Sequence, residues 1–396
     1  MSVPKLRFKE FSDDWEEKKL GDITLKVGSG STPRGGVAVY QSFGIPFIRS
    51  QNVNNEQLML DDITFISEKI NNQMKGSVVK PDDILLNITG ASIGRSCVVP
   101  LNFELGNVNQ HVCIIRLKPD YAPRFLQPYL SSSRGQKSIS STQVGSGREG
   151  LNFEAIRSFN ISIPSLPEQT KISNFLTAVD EKITLLTQKV DLLSQYKKGV
   201  MQQIFSQELR FKDDDGQEFP EWEEKTLGDV CICLDNQRKP LNDAERQTMQ
   251  GEFPYWGANN IMDYVDDYLF DETIVLLAED GGNFNEYKTR PIANISHGKC
   301  WVNNHTHVLK GEIGLSNEFL FYSLVHKNIT GYVSGGTRAK LTKGEMLKIE
   351  ISIPNPAEQT KIANFLTAID EKITSNQTQL NAVKQYKQGL LQQMFV

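Results

Sequence analysis

Cysteine is scarce in this chain and scattered. Its five thiols, Cys97, Cys113, Cys231, Cys233 and Cys300, are odd in number and unevenly spaced, which argues against a disulfide scaffold and for a reducing compartment. Cys231 and Cys233 stand two apart, as do His305 and His307. Zinc sites favour cysteines separated by two to four residues, and an i, i+2 pair shares one face of a strand, so both pairs read as ordinary strand residues and no metal site is expected. No apolar run approaches the roughly 18–20 residues that span a bilayer, so no membrane partner is expected. The opening MSVPKLRFKEFSDDWEEKKL is charged throughout and lacks the apolar stretch of a signal peptide, which points to the cytoplasm.

Catalytic signatures are missing too. The loop 28-GSGSTP-33 lacks the GK[ST] ending of a phosphate-binding P-loop. No G-x-G-x-x-G follows a strand and opens a helix, and no H-E-x-x-H occurs. The Asn-Pro-Pro-aromatic and Asp-Pro-Pro-aromatic runs of amino-methylating enzymes are also absent. Pro81-Asp82-Asp83 could be imagined as a nuclease metal site, but a turn at a strand start explains it more simply.

Charge decides little globally. The net charge is −5, yet residues 23–160 carry 14 Lys/Arg against 10 Asp/Glu, while residues 230–350 carry 12 against 16. Only local clusters can be used to argue for a polyanionic partner.

What the chain does contain is a repeat. Residues 161–205 and 351–395 agree at 26 of 45 positions without gaps. A weaker repeat opens each half, 6-LRFKEFSDDWEEKKLGDI-23 and 209-LRFKDDDGQEFPEWEEKTLGDV-230, aligning Trp15 with Trp222 and Leu20-Gly21-Asp22 with Leu227-Gly228-Asp229. The order is opening, insert, helix, twice over.

The C-terminal segment of each repeat predicts a long helix. Prolines precede it, and apolar residues recur every three or four: Ile172, Leu176, Val179, Ile183, Leu186, Val190, Leu193, Val200 and Ile204 in the first copy. The second offers Ile362, Leu366, Ile369, Ile373, Leu380, Val383, Leu390 and Met394. A 3.5-residue period sustained this long is a coiled-coil seam, interrupted by Lys197 and Lys387 at one heptad position and by Asn376 at a neighbouring one. A helix over 168–205 would be roughly 55 Å long. Antiparallel pairing of the two copies is the simpler geometry, because the chain returns through a compact insert.

The inserts differ in sequence but share landmarks. Buried strands are predicted in 82-DDILLNITGASIG-94 and 271-DETIVLLAEDGG-282. Then come 107-NVNQHVCIIRL-117 and 301-WVNNHTHVL-309, short amphipathic helices at 124–132 and 318–327, and the glycine-rich loops 145-GSGREGLN-152 and 335-GGTRAKLT-342. Each insert is expected to be a small α/β or α+β domain of one shared fold.

Recognition chemistry fills their loops. Asn and Gln can bond bidentately to adenine, Arg to guanine, and glycine lets backbone amides approach phosphate. The candidates in the first insert are Ser31, Thr32, Arg34, Arg49, Asn52, Thr89, Ser92, Arg95, Asn109, Gln110, His111 and Arg148. The second offers Asn259, Asn260, Asn283, Lys288, Arg290, Asn303, Asn304, Arg338, Lys340 and Lys343. Any one of these alone is as well explained as a turn or capping residue, so the signal lies in the paired set. Trp256 is expected to pack rather than stack on a base, and the acidic 263-DYVDDYLFDE-272 to face away from any DNA.

The LRFKEF…W…KKLGDI opening and the SIPSLPEQTKISNFLTAVDEKI segment with its copy at 351 resemble the specificity subunit of type I restriction–modification systems. The resemblance covers the whole chain in architecture and is specific in the repeats, about a third of the residues. It implies an α+β fold: two α/β target recognition domains separated by two long antiparallel coiled-coil helices, as a pseudo-twofold tandem repeat. The boundaries would be 1–160 for the first recognition domain, 161–208 for the first helix, 209–350 for the second domain and 351–396 for the second helix. It implies a non-catalytic subunit that reads a bipartite target in double-stranded DNA. The partners would be two methyltransferase subunits using S-adenosylmethionine and two restriction/translocase subunits using ATP and Mg, with no cofactor in this chain. Two other readings compete: a coiled-coil protein-interaction scaffold, and an enzyme with an unrecognised site.

Arg148→Ala and Arg338→Ala should each weaken binding at one half-site and leave discrimination at the other intact. Competition binding with duplexes altered in one half checks this, and an equal loss at both halves would refute it.

Overall fold

The structure is a computed structural model describing residues 4–54, 56–142, 150–335 and 339–395. The chain divides into two compact units. The first comprises residues 1–187 and 377–396, the second residues 188–376, so each unit contains one insert and part of both long helices.

The two inserts are built alike. In the first unit, one four-stranded antiparallel sheet has the order Thr24–Ser29, Val112–Leu117, Ile84–Asn87, Ser96–Val98. The second unit repeats this order with Cys231–Cys233, Thr306–Gly311, Ile274–Ala278 and Ala293–Ser296. The predicted strands ILLN and IVLLA are central in these sheets and wholly buried, as their apolar residues require, and the buried Asn87 of the first donates to Ser50 O at 2.8 Å. A further sheet in each unit contains one parallel pair, Ile45–Ile48 with Gly106–Val108 and Gln250–Trp256 with Lys299–Val302. Short helices Pro123–Ser131 and Asn317–Leu324 bury Phe125 and Phe319 against these domains' cores.

Asp82 and Asp83 form a turn. Asp82 takes a left-handed backbone at φ 62°, and the buried Asp83 carboxylate accepts the Lys80 N–H at 2.7 Å and pairs with Arg116 at 2.7 Å. Trp256 packs half-buried and donates to Ser296 Oγ at 3.1 Å. The five cysteines are free thiols, four of them buried.

The repeated segments close each insert. Strand Glu16–Lys19 pairs antiparallel with Asn160–Ile163, and Glu223–Thr226 pairs in the same way with Glu350–Ile353. Each closing strand leads into a long helix, Leu166–Phe205 or Pro356–Met394. Near each helix start a glutamate is buried, Glu168 at 1% and Glu358 at 0% exposure. Its partner is the arginine of the LRFK opening. Arg7 forks onto both Glu168 oxygens at 2.7 Å, and Arg210 onto both Glu358 oxygens at 3.2 and 2.8 Å. The next residue, Gln169 or Gln359, accepts a backbone N–H at the start of the domain's short helix, from Ala122 or Ser316, at 2.9 Å. The PEQ and AEQ of the two copies therefore bind opening segment and insert to the same helical turn.

Within each unit the helix segments run antiparallel. Asp180 meets Lys387 at 2.6 Å in the first unit, and the repeat-equivalent Asp370 meets Lys197 at 2.6 Å in the second. Ile172, Leu176 and Val179 share a core with Leu390, Leu391 and Met394, and Val200, Met201 and Ile204 share one with Ile362, Leu366 and Ile369. The lysines that interrupt the heptads are thus ion-pair partners of the opposite helix. Lys387 also reaches Glu56 of its own recognition domain, and Lys197 lies over the Tyr322 ring at 5.2 Å. Burial opposes the Lys387 charge, but Glu56 and Asp180 outweigh it and hold its pKa above the ordinary value. No helix among the described residues is long and apolar enough to cross a membrane.

Removing the arginine from a buried pair strands its carboxylate. Arg7→Ala should lower unfolding stability by about 3–5 kcal/mol. Arg210→Ala should cost less, because Trp222 Nε1 still donates to Glu358 at 3.1 Å, whereas Trp15 Nε1 has no partner among the described residues. Urea unfolding of the two variants checks the order.

Candidate nucleic-acid interface

The loops between the first sheet's strands form matching surfaces in the two units. In the first, Ile88 donates its N–H to His111 O at 3.0 Å, Leu151 donates to Ile88 O at 2.9 Å, and Thr89 bridges Gly150. In the second, Glu279 donates to His305 O at 2.9 Å, Leu341 donates to Glu279 O at 2.7 Å, and Asp280 bridges Lys340. The turns of the two sheets thus meet the segment that follows each glycine-rich loop. Asn109 and Asn303 do the same job: each is buried and accepts the N–H two residues on, from His111 at 3.0 Å and His305 at 2.8 Å.

On this frame the first unit strings four candidates into one chain of contacts. Thr32 donates to Gln110, the Gln110 amide meets His111 Nε2 at 2.9 Å, and His111 Nδ1 meets Thr89 Oγ1 at 2.6 Å. Thr32 comes this close because residue 30 is glycine. A Cβ there would lie 1.7 Å from the Val108 carbonyl oxygen, and the Gly30 N–H bonds Asn109 O at 3.2 Å.

The other first-insert candidates are spread around this chain. Ser31 and Arg34 are exposed on its flank, and Ser92 is half-buried in the turn after Thr89. Arg95 is exposed and reaches Asn54 Oδ1 at 3.2 Å. Asn52 is buried and spent internally, accepting the Arg49 N–H at 3.0 Å and donating to Met59 O at 3.1 Å. Arg49 is half-buried and its Nε lacks a partner among the described residues. Arg148 lies outside the described residues.

In the second unit the frame displays Asn304, His305 paired with Asp280, and Lys340. Asn259 reaches in, donating to Gly281 O at 2.9 Å, and Asn260 is exposed beside it. Lys343 is exposed at the start of the short helix Lys343–Met346. Three candidates are placed elsewhere. Asn283 is buried and donates to Pro291 O at 3.0 Å; Arg290 pairs with Glu286 at 3.2 Å; Lys288 lines a cleft with Lys198, Lys327 and Trp222. Arg338 lies outside the described residues.

Beneath Lys340 lies a cluster made of groups far apart in the sequence. His307, 1% exposed, has Nδ1 2.7 Å from Asp235 Oδ2 and Nε2 2.9 Å from the Leu341 carbonyl. Glu279 is held by Arg238 at 2.7 Å and Lys340 at 3.1 Å, and Arg238 reaches Asp235 at 3.3 Å. Asp235, Glu279 and His307 lie close enough together to hold a metal ion, but two cations already sit on these carboxylates. Burial pushes the Asp235 carboxyl upward, but hydrogen bonds from His307 and the Val308 N–H, with the charges of His307 and Arg238, hold its pKa below the ordinary value. Glu279 is also lowered: its bonds from Arg238 and Lys340 outweigh its burial.

Residues 12–195 and 220–385 both match the family description "Type I restriction modification DNA specificity domain". The chain belongs to that family. A putative type I restriction enzyme specificity subunit of Haemophilus influenzae is 40% identical over 150 residues, 38% of this chain and 37% of that protein. A putative specificity subunit of Methanocaldococcus jannaschii is 23% identical over 418 residues, covering 98% of this chain and 94% of the relative. The fold is shared with the crystal structure of an S subunit from M. genitalium, with a TM-score of 0.68, 16% identity and coverage of 100% and 99%.

Within this family frame, Asp280, His305, Asp235, Arg238, Glu279 and His307 are polar residues of the site that the sequence reading did not select. His305 could have been found, since it aligns with His111 in the shared N-x-H step. The cluster under Lys340 had no such signal, because its members come from positions up to about a hundred residues apart.

Gly30→Ala should force the 28–33 loop away from Val108. At the usual 1–3 kcal/mol for an overpacked site, amide exchange at residue 30 should quicken about tenfold or more. Hydrogen exchange read by mass spectrometry checks this.

Proposed function

We propose that this chain is the DNA-recognition subunit of a type I restriction–modification complex. Each α/β domain reads one half of a bipartite duplex target. The paired long helices set the gap between the halves and dock methyltransferase and restriction subunits. One observation carries the reading: a single backbone frame is built twice and displays different side chains. Thr32, Gln110, His111 and Thr89 stand on one copy, and Asn304, His305, Asp280 and Lys340 on the other. Amide, imidazole, hydroxyl and carboxylate groups are what base edges in the major groove pair with, and unlike sets suit unlike half-sites. Arg34, Arg95 and Lys343, exposed at the margins, suit phosphate.

The chain itself does no chemistry in this reading. Two methyltransferase subunits supply S-adenosylmethionine chemistry, two restriction subunits supply ATP- and Mg-driven translocation and cleavage, and the complex works in the cytoplasm. A methyltransferase partner takes its target base out of the stack while this chain holds the register on the duplex. The naming of the relatives as specificity subunits supports this assignment.

The test starts by mapping methylated adenines in the host genome to obtain the split motif. Duplexes with that motif should bind the chain, with its methyltransferase partner, far more tightly than scrambled ones. With six or more phosphates contacted, affinity should fall about a thousandfold between about 50 and 200 mM salt. Binding indifferent to sequence and salt would favour a protein scaffold instead.

A further inference from the structure

The two recognition frames differ at one buried position. Strand Val112–Leu117 places Cys113 opposite Leu86, and strand Thr306–Gly311 places His307 opposite Leu277, so these residues occupy the same site of the shared sheet. Cys113 is fully buried, and its thiol makes a weak 3.7 Å contact with the neighbouring Ile114 carbonyl. His307 is equally buried but fully engaged. Its Nδ1 faces a carboxylate oxygen of Asp235 and its Nε2 faces the carbonyl of Leu341.

A carboxylate and a carbonyl are both acceptors, so the ring meets a hydrogen-bonding oxygen at each of its two nitrogens and is tied to a different piece of chain at each. Asp235 and, at 3.7 Å, Glu279 face the ring, and these carboxylates are themselves paired with Arg238 and Lys340. The Val308 N–H on Asp235 Oδ1 at 2.9 Å helps keep that carboxylate ionised.

Three pieces of chain meet at this ring: the 235–238 turn, strand Thr306–Gly311 itself, and residue 341 at the exit of the glycine-rich loop. Leu341 is bonded twice, through its N–H to Glu279 O and through its carbonyl to His307. Its first-unit equivalent, Leu151, has the matching N–H bond to Ile88 O, while the residue in the place of His307 is a cysteine. Lys340 lies next to Leu341 and is tied to Glu279, so the direction of its exposed ammonium depends on this latch.

We infer that His307 is a positioning residue for target reading by the second recognition domain, locking residues 339–341 against the sheet, and that the first domain works without such a lock. The inference rests on the DNA-recognition reading above, and its test separates the two.

The chain has only five histidines, so ¹⁵N-histidine labelling of the full protein gives few signals. One ring should show hydrogen bonding at both nitrogens, and that signal should vanish in His307→Cys. This variant puts the first domain's residue into the equivalent site, which favours a folded protein. Amide exchange at Lys340 and Leu341 should accelerate about tenfold or more, while Leu151 stays as it was. With split-target duplexes, discrimination against changes in the second domain's half-site should fall about tenfold, with discrimination at the other half-site intact. Asp235→Asn should reproduce the effect in part. The inference is overturned if the His307 ring is not bonded at both nitrogens, if exchange at Leu341 does not change, or if discrimination is kept at both half-sites or lost equally at both. If the wild-type protein binds no split target, the DNA reading fails instead, and the ring and exchange measurements still decide the latch.

Discussion

The buried carboxylate near the start of each long helix is the constraint on which the rest depends. Glu168 and Glu358 sit where water does not reach, and an ionised group there is strongly unfavourable unless its charge is matched and its lone pairs are bonded. The matching guanidinium comes from the opening segment, 161 residues earlier for Glu168 and 148 earlier for Glu358. Once Arg7 and Arg210 are committed, the openings are pinned to the helices, and their strands pair with the strands that precede those helices. Each insert then begins and ends at neighbouring strands. Its interior sequence can change without disturbing how it is attached, which is why the two openings and the two helices stay alike while the inserts diverge.

The seam follows similar logic with different energetics. A lysine in a heptad core position weakens a coiled coil unless something meets its charge. Here Asp180 and Asp370, present in both copies of the repeat, meet Lys387 and Lys197. A slip of one heptad would carry each lysine about 10 Å from its aspartate at 1.5 Å per residue and leave it among leucines and isoleucines. These pairs are partly exposed, so their net stabilisation is small. They act against the wrong registers more than for the right one. Lys387 and Lys197 also touch their own recognition domains, through Glu56 and Tyr322, so the register of the helices and the seating of the domains rest on the same two side chains.

Much of this architecture was legible in the residues. A 3.5-residue period from Ile172 to Ile204 and from Ile362 to Met394, prolines before it, and largely apolar runs such as ILLNI and TIVLL have few structural solutions. The polar loops were harder. Asn52, Asn109, Asn283 and Asn303 look like base-reading amides by residue type, yet all four are buried and occupied by backbone groups of the protein. Composition cannot separate an asparagine that shapes a loop from one that projects from it, since both sit in turns with the same neighbours. Lys197 and Lys387 were visible as interruptions, but their aspartates were not, because the pairing depends on the register of a helix from the other end of the chain.

The comparison of the two frames shows where specificity can be changed at small structural cost. The backbone bonds that unite Ile88, His111 and Leu151 recur at Glu279, His305 and Leu341, so the frame needs no particular side chain at its surface. Thr89 can become Asp280 and Gln110 can become Asn304 without altering those bonds. The interior is less permissive. Where the first frame holds the small apolar Cys113, the second holds a polar ring, and that buried ring needs a hydrogen-bond partner, Asp235, which in turn lies against Arg238 and, through Glu279, Lys340. One buried substitution therefore brings a set of surface charges with it. Asp235 and Glu279 are matched locally by Arg238 and Lys340, so the acidic excess of the second insert is carried by other side chains.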